Sequence, residues 1–393
     1  MKRSFSLAIL LFLMIITEVL KVYFIMPFPG SQHNNTLSIA YFLHNYIWWF
    51  RVTGWLLFLL VFFNNRAGVR LWKRIVLILF IGLYGVIFYL FNFKFLADKM
   101  FYQPRHKQLV DAAHNTVDTH KLVIGVLING EAKAYPIQII GYHHQVQDTI
   151  GGQPVMITYC TVCRTGRVFS PFVNNKFQQF RLVGMDHFNA MFEDADTKSW
   201  WRQATGEAVA GPLKGSALKE MPSRQMQLSA WLKLYPATLI MQPDPDFLKQ
   251  YQGLAGFDQG TIKSGLEQRN TGSWQFKSWV VGVVADGHAK AFDWNELLQK
   301  RVINDSIAGK YMVLVLEKDG QSFHAFYRPG VNEFESEGAS GYLVEKNTNN
   351  YWSPDGICME GAAKDSKLIA LPAYQEFWHS WQYFHPETTR RLR

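Results

Sequence analysis

Three long apolar runs open the chain, and then its character changes. Residues 6–26 form the first run, interrupted by Thr17, Glu18 and Lys21. Residues 41–63 form the second, broken by Arg51, and residues 75–96 the third. Each is close to the roughly 20 residues a helix needs to cross about 30 Å of hydrocarbon. The pattern predicts a three-helix transmembrane segment over residues 1–98. No small-residue cleavage site follows the first run and two more runs do, so it reads as an anchor rather than a leader peptide. Glu18 and Arg51 fall at comparable depth in antiparallel helices, where an unpaired charge is costly, so they are expected to pair as a clamp.

Beyond the third run, short alternating and β-branched stretches replace the long ones. Residues 122–128 read as a strand, Asn129-Gly130 as a tight turn and residues 132–135 as the returning strand. Residues 136–142 read as a short helix with Pro136 at its first position. Residues 154–159 are a further strand. Residues 167–172 and 177–183 read as a pair around Asn174-Asn175. Residues 227–234 form a helix closed before Pro236, and residues 111–121 and 244–272 are polar connectors.

This pattern occurs twice. VIGVLINGEAKAYP, starting at Val123, aligns with VVGVVADGHAKAFD, starting at Val280. HQVQDTIGGQPVMITY from His144 then meets RVINDSIAGKYMVLVL from Arg301 without a gap. Gly125, Gly130, Ala132, Lys133, Ala134, Asp148, Ile150 and Gly152 all have identical partners. Trp231 and Pro236 pair with Trp381 and Pro386 further on. A unit of about 120 residues is too long for a solenoid repeat and suits a domain. The expected fold class is α+β: the transmembrane segment, then two duplicated, mostly β units with short helices. The boundaries read as 1–98, 105–265 for the first unit and 266–393 for a degenerate second copy. Asp148 recurs as Asp305 and is read as structural. The tryptophans at 200, 201, 231, 274 and 279 are read as core.

Charge sets the orientation. Lys2 and Arg3 precede the first span, and Arg66, Arg70, Lys73 and Arg74 fill the second loop, whereas residues 27–38 carry no Lys or Arg. The positive-inside rule places the N-terminus in the cytoplasm and everything after residue 96 outside. The expected location is the cytoplasmic (inner) membrane, multi-pass, with the C-terminal part periplasmic or extracellular. The net charge of +9 is spread over loops and termini with no dense basic stripe, which argues against a nucleic-acid partner.

What differs between the copies carries the candidate chemistry. His143 and His144 become Lys300 and Arg301; Cys160 and Cys163 become Glu317 and Gly320. Groups needed only for folding would recur. Cys160 and Cys163 form a C-x-x-C after a strand, and three readings stand. The thiolates bind zinc or copper with His143 and also His144 or His187; or they are a redox dithiol in an oxidising compartment; or they are a static disulfide. The sequence after the pair looks like a turn into a strand, unlike the helix N-terminus of a thioredoxin-type site, which favours a knuckle-like metal turn. Arg164 after Cys163 excludes c-type haem attachment. Arg202 and Glu207 are further candidates, as anion grip and general base, with Gln203 beside them. Cys358 is left over and reads as free and buried. No glycine-rich phosphate loop, H-E-x-x-H or G-x-S-x-G is present.

AYPIQIIGYHHQVQDTIGGQPVMITYCTVCRTG, followed by SWWRQATGEAVAGPL, resembles the family known as domain of unknown function 3179. The resemblance spans about residues 122–241. His144, Gln147, Thr161 and Arg164 depart from the family's pattern. The resemblance implies no activity. The expected function is a membrane-anchored extracytoplasmic protein with a Cys/His metal site in its first repeat. The alternatives are a thiol–disulfide oxidoreductase and a non-catalytic module that binds a small ligand or an envelope polymer.

Overall fold

The computed structural model describes residues 2–64, 71–338 and 341–391. Arg66, Arg70 and Arg393 therefore lie outside the described residues. By packing, the chain divides into two compact units.

The first unit gathers Met1–Tyr102, Gln178–Arg202 and Glu207–Ala217. Its helices Lys2–Tyr23, Leu37–Phe63 and Leu71–Phe93 are long and apolar enough to cross a membrane. The second and third leave large apolar side chains such as Trp49, Leu60 and Leu79 exposed, as a lipid-facing surface requires. The expected clamp is present. Arg51 Nε and Nη2 donate to the two Glu18 oxygens at 2.6 and 2.8 Å. Asn92 of the third helix bridges Arg51 and Glu18, and Lys21 donates to Asn92 at 2.5 Å. The three charged interruptions, Glu18, Lys21 and Arg51, thus meet one another, so no charge is left alone.

A four-stranded antiparallel sheet completes this unit: Phe180–Asp186, Asn189–Asp194, Trp200–Arg202 and Ala208–Ala210 in sequential order. Met185 N donates to Ile25 O at 2.7 Å. Only the two-residue strands Phe172–Val173 and Lys176–Phe177 pair around Asn174-Asn175. The longer arms expected there pair elsewhere, 165–169 with 153–160 and 180–186 with 189–194. Two consecutive left-handed residues, φ 50° and 61°, allow the tight turn, but local turn chemistry does not dictate how far pairing extends.

The second unit holds Gln103–Phe177, Gln203–Gly206 and Leu218–Arg393. The duplication is visible in its registers. In the first copy the hairpin pairs Val123 with Pro136 through Ile128 with Glu131. In the second it pairs Val280 with Asp293 through Ala285 with His288. Asn129-Gly130 and Asp286-Gly287 turn both hairpins with positive φ at both residues, the type I′ geometry that matches strand twist. The next strands repeat as well: Gln145 faces Thr158 and Val302 faces Val315. Arg224–Gln227 adds to the first hairpin as Ala373–Phe377 adds to the second. Leu239–Met241 and Thr389–Arg390 pair in parallel with the second strand of each hairpin, and in the first copy Leu109–Val110 adds outside it. Residues 221–230 and 371–380 share one pattern of burial, position by position.

The shared residues explain themselves in packing. A Cβ on Gly125 would lie 2.4 Å from the Trp231 ring, and one on Gly282 would lie 2.2 Å from Trp381. Each indole N–H donates to a threonine seven residues on, Thr238 or Thr388. Asp148 and Asp305 pair with Lys133 and Lys290, which ties two hairpins together in each copy. The short helix runs Ile137–His143, with Pro136 as its cap in extended conformation rather than as its first residue.

Candidate functional site

Cys160 ends the strand Gln153–Cys160, and the chain turns through Thr161–Arg164 into the strand Thr165–Phe169. Arg164 takes φ 55° to close the turn. Both thiols are fully buried, and no disulfide joins them. The Cys163 thiol interacts with Cys160 and with Ser380. Burial, and then Cys160 itself, holds the Cys163 thiol well above the usual thiol range, although the Lys277 ammonium pulls the other way.

Gln203 braces this hairpin. Its amide donates to Thr158 Oγ1 and to Thr165 O, both at 3.0 Å. Of the two polar residues after Trp201, it is the one that serves the cysteine turn. Arg202 instead donates twice to Asp186 Oδ2, at 2.9 and 2.6 Å. Glu207 is half exposed, 3.4 Å from Arg202. His187 Nδ1 meets the same aspartate at 2.6 Å. These residues form a surface ion-pair group with the arginine already engaged.

The second copy supplies the rest of the setting. Phe377 N donates to Cys163 O at 2.9 Å. Lys277 Nζ donates to Val162 O at 2.5 Å, and its charge acts on both sulfurs. His379 Nε2 lies 3.3 Å from Val162 O, and burial drops its pKa to about 3. Arg164 is buried, donating to Gln375 Oε1 at 2.8 Å and to the carbonyls of Phe257 and Asp258. Its guanidinium stacks 3.8 Å from the Trp279 ring centre, and that of Arg269 lies 3.9 Å from the same centre. Arg167, also buried, forms a 2.6 Å ion pair with Glu376. The turn thus sits at the seam between the repeats among Lys277, Arg164 and Arg167. Sequence comparison treated the second copy as degenerate and so passed over Lys277, Gln375, Glu376 and Ser380. The two arginines close after Cys163, Arg164 and Arg167, were the available signal.

The two histidines take other partners. His143 is fully buried in an aromatic box of Tyr142, Phe247 and Tyr251. Its Nε2 lies 2.6 Å from Tyr251 Oη. His144 takes φ 62°, and its carbonyl accepts from Tyr159 N. Arg301 takes the same φ and accepts from Leu316 N, so this junction is scaffold. Burial lowers the His144 pKa to about 4, and Nδ1 lies 3.1 Å from Tyr142 O. Among the described residues, the grouping of His, Cys, Asp or Glu ligand atoms all within 4.8 Å of one another is His106, Asp244 and Asp246. His143, Cys160 and Cys163 do not form such a group. In the His106 group, Asp244 is a turn cap: it accepts from the backbone N–H of Arg105, His106 and Asp246.

Fold and site together define a chain with three apolar helices and a duplicated α+β unit, carrying a buried two-thiol turn in one copy. It belongs to the family described as protein of unknown function (DUF3179), whose model matches residues 101–388. The match takes in the second copy, well past the motif-bearing stretch at residues 122–241. No curated protein and no solved structure matches the chain.

Proposed function

We propose that this is a membrane-anchored redox protein on the outer face of the cytoplasmic membrane, with Cys160 and Cys163 interconverting between dithiol and disulfide. Residues 105–265 carry the centre and residues 266–393 support it. The interaction between the two thiols on one tight turn carries this reading. Oxidation forms the S–S bond and releases two protons and two electrons; a disulfide in the surroundings accepts them and becomes two thiols. The charges nearby agree. Lys277 and Arg164 favour a thiolate in transit and oppose a bound metal cation.

The metal reading, zinc or copper held by Cys160, Cys163, His143 and His144, comes second. The hairpin turn is of the kind that offers two sulfurs to one ion. To supply a ligand atom through Nε2, His143 would have to give up Tyr251, and the ion would enter beside Lys277. Metal analysis of the purified full chain, paired with titration in glutathione buffers of graded potential, separates the readings. The proposal expects less than about 0.1 metal per chain and one two-electron transition confined to Cys160 and Cys163. One equivalent of metal that leaves with Cys160→Ser would establish the second reading instead.

A further inference from the structure

A cleft of 480 Å³ opens between the two repeats, and none of residues 160–164 lines it. Its size is that of a small-molecule site. The walls are aromatic: Trp231 and Tyr235 from the first repeat, Phe326 and Tyr374 from the second. Two cations line it, Arg224 and Lys367. Neither makes an ion pair with a described residue. The acid at the rim, Glu220, is already engaged by Tyr374 Oη at 2.8 Å and by Arg167 at 3.5 Å. His324 in the lining is held by Glu317 at 2.7 Å. The cleft therefore offers positive charge without a matching anion.

The duplication marks the same two residues. Arg224 sits opposite Gly125, where the second copy has Tyr374 opposite Gly282. Lys367 bridges Ile357 where the first copy has Ala217 bridging Glu207. The cations come one from each repeat, and neither recurs in the other, so the shared scaffold does not require them. Arg224 is half-buried on an edge strand. A guanidinium partly withdrawn from water is suited to a planar, bidentate anion.

We propose that this cleft binds a small organic anion bearing an apolar ring. Its carboxylate or phosphate lies between Arg224 and Lys367, and its ring packs against Tyr235 and the neighbouring aromatic walls.

Titration calorimetry on the full chain in detergent tests this with phenyl phosphate and benzoate as probes. Phenol and inorganic phosphate stand for the two halves. At least one whole probe should bind with a Kd below about 1 mM. The double variant Arg224→Met, Lys367→Met should weaken it about tenfold or more while unfolding at the wild-type temperature. Tyr235→Ala should weaken the ring-bearing probes and leave inorganic phosphate unaffected. The proposal is overturned if neither whole probe binds, if the double variant binds as well as wild type, or if phenol or phosphate alone binds as tightly as the whole anion.

Discussion

The seam between the repeats makes an asymmetric prediction about Arg167 and Glu376. The pair is buried, with side chains 2% and 1% exposed and 2.6 Å between Nη2 and Oε1. Burial pushes the Glu376 carboxyl up despite Arg167 and the Ser380 hydroxyl. The desolvation cost of the pair therefore offsets most of its attraction, and replacing both partners with apolar groups should change stability by less than about 1.5 kcal/mol. Single replacements differ from that and from each other. Glu376→Leu leaves a guanidinium that cannot lose its proton. Its remaining partners are the Gly166 carbonyl at 3.1 Å, Glu220 at 3.5 Å and the Tyr374 ring at 3.3 Å. The expected cost is about 3–5 kcal/mol. Arg167→Met leaves a carboxyl that can take up a proton, at about 1.4 kcal/mol per pH unit, so it should cost less. For a region of this size each kcal/mol is about 2–4 °C. Thermal unfolding followed by tryptophan fluorescence at pH 7 should then show Glu376→Leu at least about 6 °C below wild type. Arg167→Met should fall between, and the double variant within about 6 °C of wild type. A double variant as unstable as the sum of the singles would refute the reasoning. So would equal losses for the two singles.

Three further outcomes are expected. Gly125→Ala drives a methyl into the Trp231 ring at 2.4 Å and should cost about 1–3 kcal/mol, read as a lowered unfolding temperature; an unchanged temperature would mean that the ring moves freely. His379 has its pKa lowered by burial to about 3, against about 6.5 when unfolded. Its contribution is complete above the unfolded value and is lost as pH falls from about 6.5 towards 3. The stability of His379→Phe relative to wild type should therefore rise between pH 7 and pH 4, and a flat difference would contradict the assigned shift. A reporter fused after Arg393 should be active only outside the cytoplasm, and cytoplasmic activity would reverse the orientation.

The parts of the fold that follow from local chemistry were legible in the sequence. The apolar runs, the Asn129-Gly130 and Asp286-Gly287 turns and the constant spacing between copies each reflect a short-range rule, and the registers agree with them. Glu18 and Arg51 were paired correctly because hydrocarbon leaves a charge few choices. The setting of the cysteines was less legible. The segment at 244–272, read as a polar connector, contains Tyr251, which takes up His143, and Asp258, whose carbonyl accepts from Arg164. Lys277, Gln375 and Ser380 reach the turn only through packing of one repeat on the other. Periodicity reports which side chains are buried, not which partners meet them. Comparing the copies singled out Cys160 and Cys163, but it could not tell that His144 shares its backbone geometry with Arg301 and so belongs to the scaffold.

The central claim, a reversible disulfide between Cys160 and Cys163, is tested most directly by their state in intact membranes. Acid quenching, alkylation under denaturing conditions and peptide mass analysis give the fraction oxidised, with Cys358 as an internal reference. The account predicts a Cys160–Cys163 disulfide in untreated membranes that is reduced by dithiothreitol and re-forms on its removal, while Cys358 is alkylated throughout. Full alkylation of Cys160 and Cys163 in untreated membranes, unchanged after an oxidising glutathione buffer, would contradict it.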